Sequence, residues 1–276
     1  MANVIKKDIP MALSNEMMTQ ITNENGGNRK YKVNGRTYTS VTSIIGGLLK
    51  SYGLEKWKQE WIDNQLTHFE GWRITPQLAN EIVTASSKEA EESARIGTEM
   101  HDIIERLLRG EDVNDVPDQL EPAVRAWLKW RKEFIEWELV ATEVGVFNPH
   151  AAGQVDALFR KGNDYLVVDW KTSSGLYDSS FLQVAAYAKA LSHMYPFRYT
   201  SLYDSGININ SVQACVVRLV NDYPRLPNKK KNRREPKVFS DRCEYVMVDT
   251  DMWYETFVSL VRLSHRMKEK VQKVRL

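Results

Sequence analysis

The chain has 276 residues, with 38 Lys and Arg against 36 Asp and Glu and a formal charge of +2. Hydrophobic residues make up 42% and charged residues 27%, a globular composition that excludes wholly disordered, collagenous or coiled-coil chains. No window approaches the ~18 uncharged apolar residues of a membrane span, and near-neutrality excludes a uniformly basic coat for a polyanion.

The first residues, MANVIKKDIPMALSNEMM, hold two lysines but no apolar core of a signal peptide. The expected location is the cytoplasm. Two cysteines, Cys215 and Cys243, are too few for a four-cysteine zinc site or a disulfide scaffold, and read as thiols in a reducing compartment.

In chain order, residues 1–30 are polar and read as a weakly ordered arm. A hairpin over 31–38 turns at Asn34-Gly35. Thr39 or Ser40 can cap a helix running to Leu49, and the spacing of Leu54, Trp57, Trp61, Ile62 and Leu66 predicts another. Pro76 opens a helix, and Ser86 or Ser87 opens a further long one ending at Gly110. Residues 118–138 form the next. After Leu139 the period changes. Segments 140–148, 153–160, 164–171, 211–220 and 237–248 read as strands, with a helix at 179–194 between the third and fourth. A last amphipathic helix covers about 252–274. The whole is one α/β domain over 31–276: a mainly helical part (31–139), a mixed central sheet (140–250) and a C-terminal helix (251–276).

The most informative stretch runs from Gly153 to Lys171. Two strand-like runs flank Gly162-Asn163, so a two-residue turn there pairs Lys161 with Asp164. The same register sets Asp156 opposite Asp169 and Gln154 opposite Lys171, all on one face. The other face reads Val155, Ala157, Phe159, Leu166, Val168 and Trp170, wholly apolar. Like charges directly opposite are destabilising. Two readings fit: a surface ion-pair cluster with Lys171, or a site for Mg²⁺ or Mn²⁺, hard cations that take carboxylate and carbonyl oxygens.

These residues resemble the PD-(D/E)XK nuclease superfamily, in its RecB-type branch. Gly153-Gln154-Val155-Asp156 is similar to the G-x-x-D motif, and Asp169-Trp170-Lys171-Thr172-Ser173 to the D-x-K motif. Gly97 to His101 resembles the upstream G-x-x-x-H helix, and Gln183 to Tyr187 the Q-x-x-x-Y helix that follows. The wording looks closest to the mitochondrial genome-maintenance exonucleases and their phage-encoded relatives. The resemblance implies a restriction-endonuclease-like sheet flanked by helices, with a helical N-terminal half. It implies a metal-dependent DNA exonuclease that prefers single-stranded ends and serves replication, recombination or repair. For a phage-encoded chain the location is the host-cell cytoplasm.

The roles carried over are as follows. Asp156 and Asp169 are metal ligands, with the Trp170 carbonyl a third, and Lys171 is the catalytic lysine. His101 approaches the metal from its helix, with Glu105 on the same face. Glu143 matches an acidic position on the preceding strand, as a third carboxylate or a water-mediated contact to the metal. Gln183 and Tyr187 buttress the site or touch DNA, with Gln154, Thr172 and Ser173 beside them. Branches with an iron–sulfur cluster are excluded, because two cysteines cannot build one. No membrane is involved. A structure-specific or duplex endonuclease, and a catalytically silent DNA-binding module, are the alternatives.

Charge is unevenly spread. Residues 229–276 carry thirteen Lys and Arg against seven Asp and Glu, whereas 88–121 hold eleven acidic and four basic residues. Lys229, Lys230, Lys231, Arg233 and Arg234 form a Pro-flanked basic loop suited to phosphates, or to a solvated hairpin tip. Lys268, Lys270, Lys273 and Arg275 extend the basic character along the last helix. Most of the tryptophans suit the core. Trp72, in a polar connection, is the one expected to be exposed, where it could stack on a base.

Overall fold

The computed structural model describes residues 18–21, 29–49, 52–194, 211–222 and 238–274. The basic loop from Lys229 to Arg234, and Arg275, lie outside these.

The N-terminal hairpin forms as the Asn34-Gly35 signal requires. Strands β2 (Lys30–Val33) and β3 (Arg36–Thr39) pair antiparallel, and both turn residues take the left-handed conformation, φ 46° and 82°. Within the segment expected to be a weakly ordered arm, Met18–Ile21 forms a strand, β1, paired with β2. Ser40 caps helix α1 (Val41–Leu48), accepting from the Ser43 N–H at 2.9 Å.

Helix α2 (Tyr52–Leu66) and a short 3₁₀ turn lead to α3 (Pro76–Leu108). Thr75 caps α3 and Pro76 occupies its first turn. The two helices expected here are one: Ser86 does not start a new helix, because its hydroxyl is turned back onto the Val83 carbonyl at 2.7 Å inside a continuous ladder. Helix α4 (Glu121–Glu133) ends short of the expected 138. There Arg131 donates to the carbonyls of Phe134 and Trp137, fixing the turn into the sheet.

Five strands follow: β4 (Glu138–Phe147), β5 (Ala152–Lys161), β6 (Asp164–Lys171), β7 (Ser211–Asp222) and β8 (Val238–Val248). They lie in sequence order, antiparallel except for the β6–β7 pair, which is parallel across helix α5 (Asp178–Met194). Helix α6 (Thr250–Val274) closes the described chain. This is the mixed α/β architecture expected for a PD-(D/E)XK core.

The sheet is buried on both faces. On one, Ala157, Phe159, Leu166, Val168 and Trp170 meet Ile96, Met100 and Ile104 of α3 and Trp127 and Trp130 of α4. Trp170 stands edge-on to Trp130 and Trp127, with ring centroids 5.0 and 6.2 Å apart. Burying such a ring contributes about 1.5–3 kcal/mol. It also anchors the residue between Asp169 and Lys171. On the other face, Leu158, Tyr165 and Val167 lie beneath α5, with Phe257 and Val261 of α6 in the same core. Val155 departs from the expected alternation and joins this second core. Among the described residues no helix is long and apolar enough to cross a membrane. Cys215 is buried, Cys243 is half-buried, and both are free.

Candidate active site

Lys161 pairs with Asp164, the register expected from the Gly162-Asn163 turn, and Gly162 takes φ 61°. The ladder runs to Ala157–Val168 and stops there. Beyond it Asp156 turns its carboxylate across, and Oδ2 accepts the Trp170 backbone N–H at 2.8 Å. The expected Asp156–Asp169 and Gln154–Lys171 pairs are therefore both absent from the ladder, because the two strands splay beyond Ala157–Val168. Gln154 sits opposite Gly145 of β4, and its amide donates to the Glu143 carbonyl at 3.3 Å.

Helix α3 crosses this end of the sheet. Gly97, His101 and Glu105 share one face, spaced by about 6 Å of helix rise per four residues. That nearly matches the ~4.8 Å strand spacing, so each meets a different strand or its continuation. A Cβ on Gly97 would lie 3.1 Å from Thr172 Oγ1, just past β6. His101 Nε2 lies 2.9 Å from the Trp170 carbonyl oxygen, and Nδ1 lies 3.5 Å from Asp156 Oδ2. A carbonyl only accepts, so Nε2 carries the hydrogen. Glu105 accepts from Thr142 Oγ1 of β4 at 3.1 Å and pairs with Arg109.

Helix α5 completes the site from the other side. Gln183 Nε2 donates to Asp169 Oδ1 at 2.8 Å, and its Oε1 accepts from Lys171 Nζ at 3.3 Å. One amide thus holds both the carboxylate and the lysine, using its donor and its acceptor. One turn on, the Tyr187 hydroxyl lies 3.4 Å from Gln183 Nε2. The Tyr187 ring rests on Gly153: a Cβ there would stand 2.2 Å from its Cε1. The glycines of both glycine-bearing motifs are therefore close-approach positions, one beneath Thr172 and one beneath Tyr187.

The electrostatics concentrate on two aspartates. Asp169 is 1% exposed, and Lys171 Nζ stands 2.6 Å from its Oδ2 as an ion pair. Burial, then the charge of Asp169, pushes the Asp156 carboxyl up to about 6, against the pull of His101 and Lys171. Burial pulls Lys171 down, but the two aspartates outweigh it and raise its pKa. Glu143 faces the same corner with a left-handed backbone, φ 52°. Its carboxyl keeps contact with solvent, yet desolvation and the charges of Asp156 and Glu105 push it up to about 7.

One residue of the site escaped the sequence reading. Arg218 of β7 lies beside Lys171 in the parallel register and is 8% exposed. It donates from Nε to the Ser173 carbonyl at 2.9 Å and pairs with Glu244 at 2.7 Å. It holds the loop that leaves Lys171, where Ser173 Oγ also donates to the Gly175 carbonyl at 2.7 Å. Its signal was a single cation inside the apolar run from Cys215 to Val220.

All four motifs thus meet at one end of the sheet, joined by direct contacts. The family model of the PD-(D/E)XK nuclease superfamily matches residues 76–219, which contain every one of them. The chain belongs to this superfamily. No curated protein matches it significantly.

Members of the superfamily are nucleases that act with divalent metal ions, and the residues here fit such an ion. Two carboxylates, a backbone carbonyl and an imidazole converge at this corner, an oxygen-rich donor set that suits a hard divalent cation. Among the described residues no three His, Cys, Asp or Glu side chains form a ready-made metal cluster. Mg²⁺ is commonly held by one or two carboxylates and completes its shell with water, so the donor set remains adequate for it.

Proposed function

We propose that the chain is a DNA exonuclease of the RecB-type branch that hydrolyses phosphodiester bonds with Mg²⁺ or Mn²⁺, starting from single-stranded ends, in replication, recombination or repair. The observation that carries the reading is the contact set that joins Asp156, Asp169, Lys171, His101 and Gln183 at one strand end.

In this reading Asp156, Asp169 and the Trp170 carbonyl hold the ion, with His101 at its edge and Glu143 nearby. The bound cation supplies Lewis-acid polarisation of the phosphodiester and a more acidic water. The chain's own groups do the rest. Lys171, kept protonated by the two aspartates, offsets charge that builds on the phosphorus-bound oxygens. Gln183 fixes the direction of the ammonium by accepting from it. His101, donating to the Trp170 carbonyl, holds that carbonyl in place, while the Trp127–Trp130–Trp170 cluster holds the strand from behind. Arg218 does the same for the loop after Lys171.

The preference for single strands draws support from Trp72, 70% exposed and able to stack on a base, and from the likeness of the motif wording to genome-maintenance exonucleases. The deciding experiment is digestion of 5′- and 3′-labelled linear strands beside a covalently closed single-stranded circle in Mg²⁺. Shortening of the linear strands from one end, with the circle intact, is expected. Cutting of the circle means an endonuclease, and binding of either substrate without turnover in Mg²⁺ or Mn²⁺ means a silent DNA-binding module.

A further inference from the structure

A second surface, of histidine and arginine side chains, lies away from the catalytic corner. Phe147 and Ala151 of the β4–β5 turn, Leu191 and Met194 at the end of α5, and Val261 of α6 share one buried core. The Phe147 N–H donates to Met194 Sδ at 3.2 Å, tying the turn to the helix. The residues next to these anchors are His150, His193 and Arg262, which therefore come to one surface. Burial, and then Arg262, His265 and His193, lower the pKa of His150, so these four basic groups stand near one another.

Helix α6 continues this surface outward. Arg262, His265 and Arg266 lie at i, i+3 and i+4, on one exposed side. Between Arg262 and Val274 the helix carries five Lys and Arg against one Glu. Arg262 and Arg266, one turn apart on this side, repel one another, and an anionic partner would offset that repulsion.

We propose that this surface binds backbone phosphates of the nucleic-acid strand and holds the substrate outside the catalytic corner. The proposal rests on the nuclease reading and extends it with a second contact region. His150 stands six residues before Asp156, at most about 21 Å away along the chain. The turn therefore lies within reach of a strand that leaves the catalytic corner. Phosphate rather than a lipid surface is favoured because the turn and α5 contribute the imidazoles of His150 and His193, groups that can donate to phosphate oxygens, beside the guanidinium groups of α6. Among the described side chains on this part of α6, Leu263 and Met267 are the large exposed apolar groups.

The test uses the full chain carrying Arg262→Glu and Arg266→Glu. A control, Lys88→Glu with Lys132→Glu, makes the same charge change at exposed sites on α3 and α4. Binding of a labelled 20-nucleotide strand is read by fluorescence anisotropy in EDTA, between 50 and 200 mM salt. The α6 variant should bind at least about 5-fold more weakly at low salt. Its log–log salt slope should be shallower by about 1.4, or 0.7 for each lost phosphate contact, with the control and the melting temperatures unchanged. In Mg²⁺, KM for the 20-mer should rise while kcat stays that of wild type. Equal affinity and slope in the α6 variant and wild type overturn the proposal. So does DNA binding that is unaltered while binding to phosphatidylglycerol vesicles is lost, which would make the face a lipid contact. A wild-type chain that binds DNA through this face but cuts nothing leaves the face standing and overturns the nuclease reading instead.

Discussion

Replacing Gly153 with alanine tests how the motifs are packed together. The new Cβ would lie 2.2 Å from Tyr187 Cε1, 2.9 Å from Cζ and 3.1 Å from Cδ1. Carbon pairs settle at about 3.5–4.0 Å, so the ring must retreat by roughly 1.3–1.8 Å. It has little room, since Tyr187 is 4% exposed and packed within the α5 core. Overpacking of this kind costs about 1–3 kcal/mol, and a rigid neighbour puts Gly153→Ala at the upper end. For a domain of this size each kcal/mol lowers Tm by about 2–4 °C, so a fall of roughly 6–12 °C is expected. The damage also reaches the chemistry, because Tyr187 sits one turn from Gln183, which holds Asp169 and Lys171. A displacement of about 1 Å there costs as much as 100-fold in rate. Thermal denaturation and cleavage of a labelled strand read the two effects. Adding Tyr187→Leu to Gly153→Ala should recover part of the lost Tm, with a coupling of about 0.5–3 kcal/mol. A Gly153→Ala protein that melts within about 1 °C of wild type and cuts normally would refute the packing argument.

Three further outcomes are expected. Gly97→Ala should change Tm by little, because the helix gains about 1 kcal/mol over glycine and this offsets the squeeze on Thr172 at 3.1 Å; a fall as large as that of Gly153→Ala contradicts this. Glu143→Gln should stabilise the metal-free protein above neutral pH. Its carboxyl is raised from 4.5 to about 7, so the folded state binds the extra proton and loses stability as pH rises from about 4.5 to 7. Melting curves in chelator should show a flatter pH dependence for the variant, with a remainder from Asp156, whose raised value of about 6 acts at slightly lower pH. Arg218→Met should cost about 1.5–3 kcal/mol for the lost charge-assisted hydrogen bond to the Ser173 carbonyl and speed hydrogen exchange over residues 172–177; unchanged exchange there removes Arg218 from the positioning of that loop.

What the sequence made legible was local. The Gly162-Asn163 turn sets the β5–β6 register through its own geometry, so Lys161–Asp164 could be read without the rest of the fold. The 3.6-residue period showed that Gly97, His101 and Glu105 share a face, but not that this face crosses three strands. That follows from packing α3 against a sheet formed later in the chain. The splay that frees Asp156 to reach the Trp170 N–H, and turns Gln154 towards Glu143, arises where the ladder ends, and alternation carries no warning of it. Arg218 was missed because its partner, Ser173, is brought beside it by a parallel pairing across α5, whose register no turn announces. Ser86 misled the boundary of α3 because serine serves a cap and a helix interior equally well, and only the unbroken ladder decides between them.

The central claim is that the corner built on Asp156, Asp169 and Lys171 hydrolyses nucleic acid with a divalent ion. The most direct measurement is the cleavage rate of a labelled single strand in Mg²⁺ by wild type and by Asp169→Asn, with Mn²⁺ binding followed by calorimetry on the same two proteins. The account predicts cleavage and ion binding by wild type. It predicts at least about a 100-fold loss of rate in the variant, with weakened ion binding and a retained fold. An Asp169→Asn protein that cuts DNA and binds Mn²⁺ as wild type does would contradict it.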